Sequence, residues 1–123
     1  MSRQVYMQNI MEHFKNPENY GALSDFNCSC QLKNVSCGDV IGVWLKVDGE
    51  VLKQIGFEGK GCAISQASMS ILSEEILDMK KDEIEKISSG DLVDIIGVDL
   101  GPTRLKCALL GLSAVKKCLK EVS

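Results

Sequence analysis

Cysteine occurs six times in 123 residues, and three of the six stand where a thiol would ionise or come close to a bound ion. Cys37 opens Cys37-Gly38-Asp39, and Cys62 closes Gly59-Lys60-Gly61-Cys62. The glycine after Cys37 and the glycine before Cys62 let the backbone bend and approach an ion. The apolar pattern after Cys62 is helical, so this thiol opens a helix, where the dipole and free N–H groups favour thiolate. Cys107 lies near the start of the last helical stretch, beside Arg104 and Lys106, whose charges favour thiolate there too. Asp39 adds a carboxylate two residues from Cys37, on the same side of an extended segment. Three thiolates and a carboxylate would complete a tetrahedral zinc site. The same thiols could instead hold an iron–sulfur cluster. Spacing alone leaves both open, because there is no C-x-x-C pair and scattered cysteines also serve as small buried hydrophobes.

These residues must be brought together by the elements between them. Met7, Ile10, Met11 and Phe14 mark one face of a short helix between Gln4 and Phe14, stopped by Asn16-Pro17. Alternation over Cys28–Leu32, and apolar runs over Val40–Val47 and Val51–Phe57, predict three strands. Asp48-Gly49 joins the last two as a hairpin, and three strands in a meander are the simplest arrangement. With Asp48 and Gly49 as the turn, Asp39 faces Glu58 and Cys37 faces Lys60, which puts Cys37 and Cys62 at the same end of one hairpin.

After Gly61, a stripe of Ile64, Ala67 and Ile71, flanked by Met69, Leu72, Ile76 and Met79, predicts a well-buried helix. Lys80–Gly101 holds one or two short helices, with breaks at Ser88-Ser89-Gly90 and Gly101-Pro102. The last helix spans Thr103–Val122, with Ala108, Leu112, Val115, Leu119 and Val122 inward. Strands first and helices afterwards predict an α+β fold, with helices packed on one face of a three-stranded antiparallel sheet.

The totals narrow the classes. Residues 1–123 fit a single domain. With 45% apolar and 25% charged residues, a core is feasible without disulfide staples. A net charge of −3 and a pI near 5.1 leave no basic footprint for nucleic acid. Met1–Tyr6 has no apolar signal segment, and no apolar run nears the roughly 18 residues that span a bilayer. The expectation is a cytoplasmic protein off the membrane, whose cysteines are ligands, sulfur carriers or core residues rather than a disulfide framework.

The ordered blocks Tyr6, His13-Phe14-Lys15-Asn16-Pro17-Glu18-Asn19-Tyr20-Gly21, Cys37-Gly38-Asp39, Gly59-Lys60-Gly61-Cys62-Ala63-Ile64-Ser65-Gln66-Ala67-Ser68 and Arg104-Leu105-Lys106-Cys107 resemble the IscU/SufU/NifU N-terminal family of iron–sulfur cluster scaffold proteins over nearly the whole chain. The resemblance implies a scaffold, not a turnover enzyme, that takes sulfur from a cysteine desulfurase of IscS, SufS or NifS type. It would build a transient 2Fe–2S cluster and pass it to apo-protein recipients, with an iron donor or a ferredoxin as further partners. Cys37, Cys62 and Cys107 would be the ligand cysteines, Asp39 the labile carboxylate, and Cys107 the persulfide acceptor.

Two departures bear on subtype. Lys106 replaces the histidine that precedes the last cysteine in IscU-type members, and a protonated amine cannot replace an imidazole ligand. Lysine is the SufU-like choice, with Lys106 as an activator of Cys107 and Zn2+ in a resting form as the second reading. The compact Met79–Pro102 stretch, however, is IscU-like in length. Leu100-Gly101-Pro102-Thr103-Arg104 stands where IscU has Leu-Pro-Pro-Val-Lys, which argues against a dedicated chaperone. A structural zinc domain used only for protein binding is the blandest alternative. Cys28, Cys30, Cys118 and Trp44 are read as core, and His13 as structural or part of a partner surface.

Overall fold

The structure is a computed structural model describing residues 3–35, 38–97 and 100–122. Helix α1 (Arg3–Lys15) leads by a loop into strands β1 (Cys28–Asn34), β2 (Asp39–Asp48) and β3 (Val51–Lys60). Helices α2 (Ala63–Ile76), α3 (Lys81–Glu85), α4 (Ser89–Ile96) and α5 (Pro102–Glu121) follow. The strands form one antiparallel sheet in the order β1-β2-β3. This is the expected α+β meander.

Alternation along β2 sends Ile41, Val43, Leu45 and Val47 into the core. There they join Leu52, Ile55 and Phe57 of β3, Met69, Leu72 and Ile76 of α2, and Leu112, Val115 and Leu119 of α5 in one apolar cluster. The other face of β2 carries Trp44, which is only half-buried. Trp44 is therefore not the core residue its type suggested, because its even-numbered position puts it on the face without helices.

The hairpin register differs from the one expected. Asp48 pairs with Val51, so the turn residues are Gly49 and Glu50, with Gly49 at φ +64°. A bulge then interrupts the ladder between Lys46 and Val47, and Lys53 is the extra residue on β3. Beyond it Val40 pairs with Lys60, three positions further along β3 than a simple Asp48-Gly49 hairpin gives. One more step on this register sets Gly61 opposite Asp39.

Two features brace the sheet. The loop after α1 runs beside β3 as a short parallel bridge, with Gly21 N–H donating to Phe57 O at 2.6 Å and Phe57 N–H to Asn19 O at 3.1 Å. A Cβ on Gly56 would stand 2.2 Å from Gly21 O, so only glycine admits the loop there. Across the core, Cys28 of β1 and Cys118 of α5 form a disulfide spanning 90 residues, their Cα atoms 5.8 Å apart. Both are buried as expected, but as a bonded pair rather than two separate core thiols. Alternating strand positions put Cys28 on the inner face, where α5 crosses it.

The short helices follow their caps. Ser88 caps α4, its Oγ accepting Asp91 N–H while the Asp91 carboxylate accepts Ser88 N–H. Those hydrogen bonds hold the Asp91 carboxyl below its ordinary range. The Ser88-Ser89-Gly90 break is thus the start of a helix. His13 ties α1 to α2 through Ser70 Oγ at 2.7 Å and Glu74 Oε1 at 3.4 Å, the structural role anticipated for it. Among the described residues no helix is long and apolar enough to cross a membrane.

Candidate metal centre

Asp39 is the first residue of β2, Cys62 caps the N-terminus of α2, and Cys107 lies in the second turn of α5. The fold brings one ligand atom of each to within 4.8 Å of the others. The hairpin delivers Asp39 beside Gly61-Cys62, and the packing of α5 against α2 and β2 delivers Cys107. Cys37, the fourth expected ligand, lies outside the described residues.

Hydrogen bonds fix the carboxylate. Asp39 Oδ1 accepts the Cys62 N–H at 2.9 Å, and the Cys62 thiol lies 3.4 Å from Oδ2. Asp39 is 1% exposed, so its carboxyl oxygens are satisfied by protein groups such as these rather than by bulk water. Gly61, at φ +132°, makes this approach possible, because a Cβ there would stand 1.9 Å from Asp39 Oδ1. The Cys62 sulfur accepts Ser65 N–H at 3.4 Å, and Ser65 Oγ donates to Cys62 O at 3.0 Å. The thiol therefore occupies the side-chain capping position usually held by serine or aspartate.

The two thiols differ in access. Cys62 is exposed, whereas Cys107 is buried. Lys106 is exposed and makes no ion pair among the described residues. Cys30 is a free, half-buried thiol packed against the core. Burial pushes it up from its ordinary value, opposed by Lys117 and reinforced by Glu121, which suits a packed thiol rather than a ligand. Cys118 is bonded to Cys28 and stands apart from the centre.

Sequence reasoning marked Gly61 as a bend beside Cys62 but missed that it meets Asp39, and it missed the capping role of Ser65. Ser65 carried a signal, since it stands three residues after Cys62, the spacing of a helix-capping pair. The contact between Gly61 and Asp39 left no signal, because it depends on the register beyond the bulge.

Two sulfurs and a carboxylate oxygen, one of them solvent-facing, form a donor set suited to zinc or to iron–sulfur ligation. The NifU-like N terminal domain model matches residues 5–123, and the chain belongs to that family. It is 36% identical to the zinc-dependent sulfurtransferase SufU of Bacillus subtilis (strain 168), over 92% of this chain and 88% of that protein. It is 34% identical to the iron–sulfur cluster assembly scaffold protein IscU of Thermotoga maritima, over 98% and 96%. Among solved structures, FiSufU of Fervidobacterium islandicum AW-1 superposes with a TM-score of 0.81 at 29% identity, covering 97% of this chain and 99% of that one.

Proposed function

We propose that this chain is a scaffold on which an iron–sulfur cluster is assembled. It takes persulfide sulfur from a cysteine desulfurase, holds a 2Fe–2S cluster on Cys37, Asp39, Cys62 and Cys107, and hands it to apo-proteins in the cytoplasm. The observation that carries this reading is the convergence of Asp39, Cys62 and Cys107 within 4.8 Å in a chain of this family. The cluster is cargo, so the protein works as a platform rather than as a turnover enzyme.

In sulfur transfer, the Cys107 sulfur attacks the outer sulfur of the donor's persulfide. A new S–S bond forms on Cys107 and the donor's own sulfur leaves as thiolate. Cys62, the exposed thiol, faces the incoming donor, and Lys106 stands beside Cys107 to assist. Asp39 is a harder ligand than a thiolate and binds iron–sulfur more weakly, which favours release of the finished cluster.

Anaerobic reconstitution with desulfurase, cysteine and ferrous iron tests the scaffold. A cluster chromophore is expected, longer-lived in Asp39→Ala, and a colourless product would refute the proposal.

Lys106 and the 36% identity to SufU of Bacillus subtilis favour a second reading, a zinc-dependent sulfur acceptor without a stable cluster. The same residues would then hold Zn2+, which would supply a closed resting site for the thiolates. Stoichiometric zinc in protein isolated without oxygen, and desulfurase stimulation lost in Cys107→Ala, would select this reading over the first.

A further inference from the structure

Gly111 lies in the interior of α5 and is buried there. Glycine costs a helix more than any residue but proline, so its presence asks for a steric reason. The facing helix supplies one. A Cβ on Gly111 would stand 2.5 Å from Met69 Sδ, 3.3 Å from Met69 Cβ and 3.4 Å from Met69 Cγ. Met69, on α2, is fully buried, so the bare backbone of α5 receives its side chain where the two helices pack. This contact lies about two turns along α2 from Cys62 and one turn along α5 from Cys107. Cys107, Gly111 and Cys118 share one buried face of α5, and Cys118 is bonded to Cys28 of β1. The far end of α5 is therefore tethered about 10 Å beyond Gly111, while Cys107 lies about 6 Å to the other side.

We propose that Gly111 is a positioning residue for the metal centre: its contact with Met69 sets the separation of α2 and α5, and through it the distance between the Cys62 and Cys107 sulfurs. Those two atoms lie within 4.8 Å of each other. A methyl group on Gly111 must regain the ordinary carbon–carbon separation of about 3.5–4.0 Å from Met69 Cβ, which moves with the α2 backbone and not with a rotamer. That alone displaces α5 by a few tenths of an ångström, and the contact with Sδ asks for more. Pivoting on the tethered end enlarges the shift at Cys107 by about half again. Metal–ligand distances hold to within about 0.2 Å, so the displacement is large enough to be read at the centre. The inference rests on the centre proposed above but not on its cargo, because the sulfur separation can be read in metal-free protein.

The experiment compares wild type, Gly111→Ala and the double variant Gly111→Ala/Met69→Ala. In metal-free protein, diamide oxidises neighbouring thiols to a disulfide, and peptide mapping gives the rate at which Cys62 and Cys107 join. Chelator competition gives zinc affinity, the Co2+ charge-transfer band reports bound thiolates, and Tm reports the fold. Gly111→Ala is expected to join the two cysteines more slowly, to bind zinc at least about tenfold more weakly and to lose Co2+–thiolate intensity. Its Tm is expected to stay within about 5 °C of wild type, because the better helix propensity of alanine opposes the crowding. Removing the Met69 side chain makes room for the new methyl group. The double variant is therefore expected to regain wild-type cross-linking and zinc affinity, even though its smaller core lowers Tm. That rescue separates position from stability. Wild-type cross-linking and zinc affinity in Gly111→Ala overturn the inference, as does a double variant in which both stay lost. A Gly111→Ala protein that loses stability and zinc together assigns Gly111 to core packing and also overturns it. A wild type that binds zinc and cross-links but builds no cluster overturns the scaffold reading and leaves this inference standing.

Discussion

Replacing Gly61 with alanine places one methyl group where the centre has no room for it. At φ +132° an L side chain is strained by about 1–3 kcal/mol before any contact is considered. The new Cβ would also lie 1.9 Å from Asp39 Oδ1, 2.7 Å from Cγ and 2.9 Å from Cα. Two of these belong to the side chain and one to the strand itself, so Asp39 cannot evade the clash by rotating χ1. It must move away from Cys62, which breaks the 2.9 Å bond from the Cys62 N–H. Hydrogen bonds to charged groups contribute about 1.5–3 kcal/mol. The combined expectation is a loss of about 3–6 kcal/mol, a large share of the roughly 5–15 kcal/mol that holds a domain folded. Losing only the orientation of a ligand typically weakens metal binding by about 10–100-fold, and Gly61→Ala is expected to reach at least that. Gly49→Ala is the matched control: it too has positive φ, but no atom lies within 4 Å of its Cβ. It should cost about 1–2 kcal/mol and leave metal binding alone. Chelator competition for zinc and thermal denaturation by circular dichroism read both effects. A Gly61→Ala protein that loses no more stability than Gly49→Ala, and binds zinc within about twofold of wild type, would refute the account of how Asp39 is positioned, since a displaced ligand costs about tenfold or more.

Two further outcomes follow from the cysteines. The Cys28–Cys118 bond closes a loop of 90 residues, so reducing it should remove about 4–5 kcal/mol by the chain-entropy account. Tm should then fall by roughly 10 °C or more, and a Tm unchanged after mass spectrometry confirms reduction would contradict this. In metal-free protein, brief treatment with iodoacetamide should modify exposed Cys62 well before buried Cys107, as read by peptide mapping. Equal rates would show that the burial of Cys107 does not persist in solution.

Much of the site was legible in the chain because its signals are local. Gly59-Lys60-Gly61 announces a bend, the helical stripe after it makes Cys62 a helix opener, and alternation makes Asp39 and β2 extended. What sequence missed depends on contacts between distant elements. The pairing of Cys28 with Cys118 requires β1 and α5 to cross, which no spacing encodes. Trp44 was misplaced because residue type was weighed above its position in the alternation. The bulge did leave a trace: Leu52, Ile55 and Phe57 are buried while Lys53 and Gln54 between them are both exposed, a break in the two-residue period.

That break separates the hairpin into two independent frames. Near the tip, pairing is dictated by the Gly49-Glu50 turn; near the centre, by the requirement that a residue without a side chain meet Asp39. Lys53 is the spare position that reconciles them. If the ladder closed without a bulge, Lys60 would slide opposite Asp39 and bring a side chain into that space. Deleting Lys53 would instead straighten the strand and keep Gly61 where it is. The hairpin tip can therefore change length over evolutionary time while the centre, roughly 30 Å away along β2, keeps its alignment.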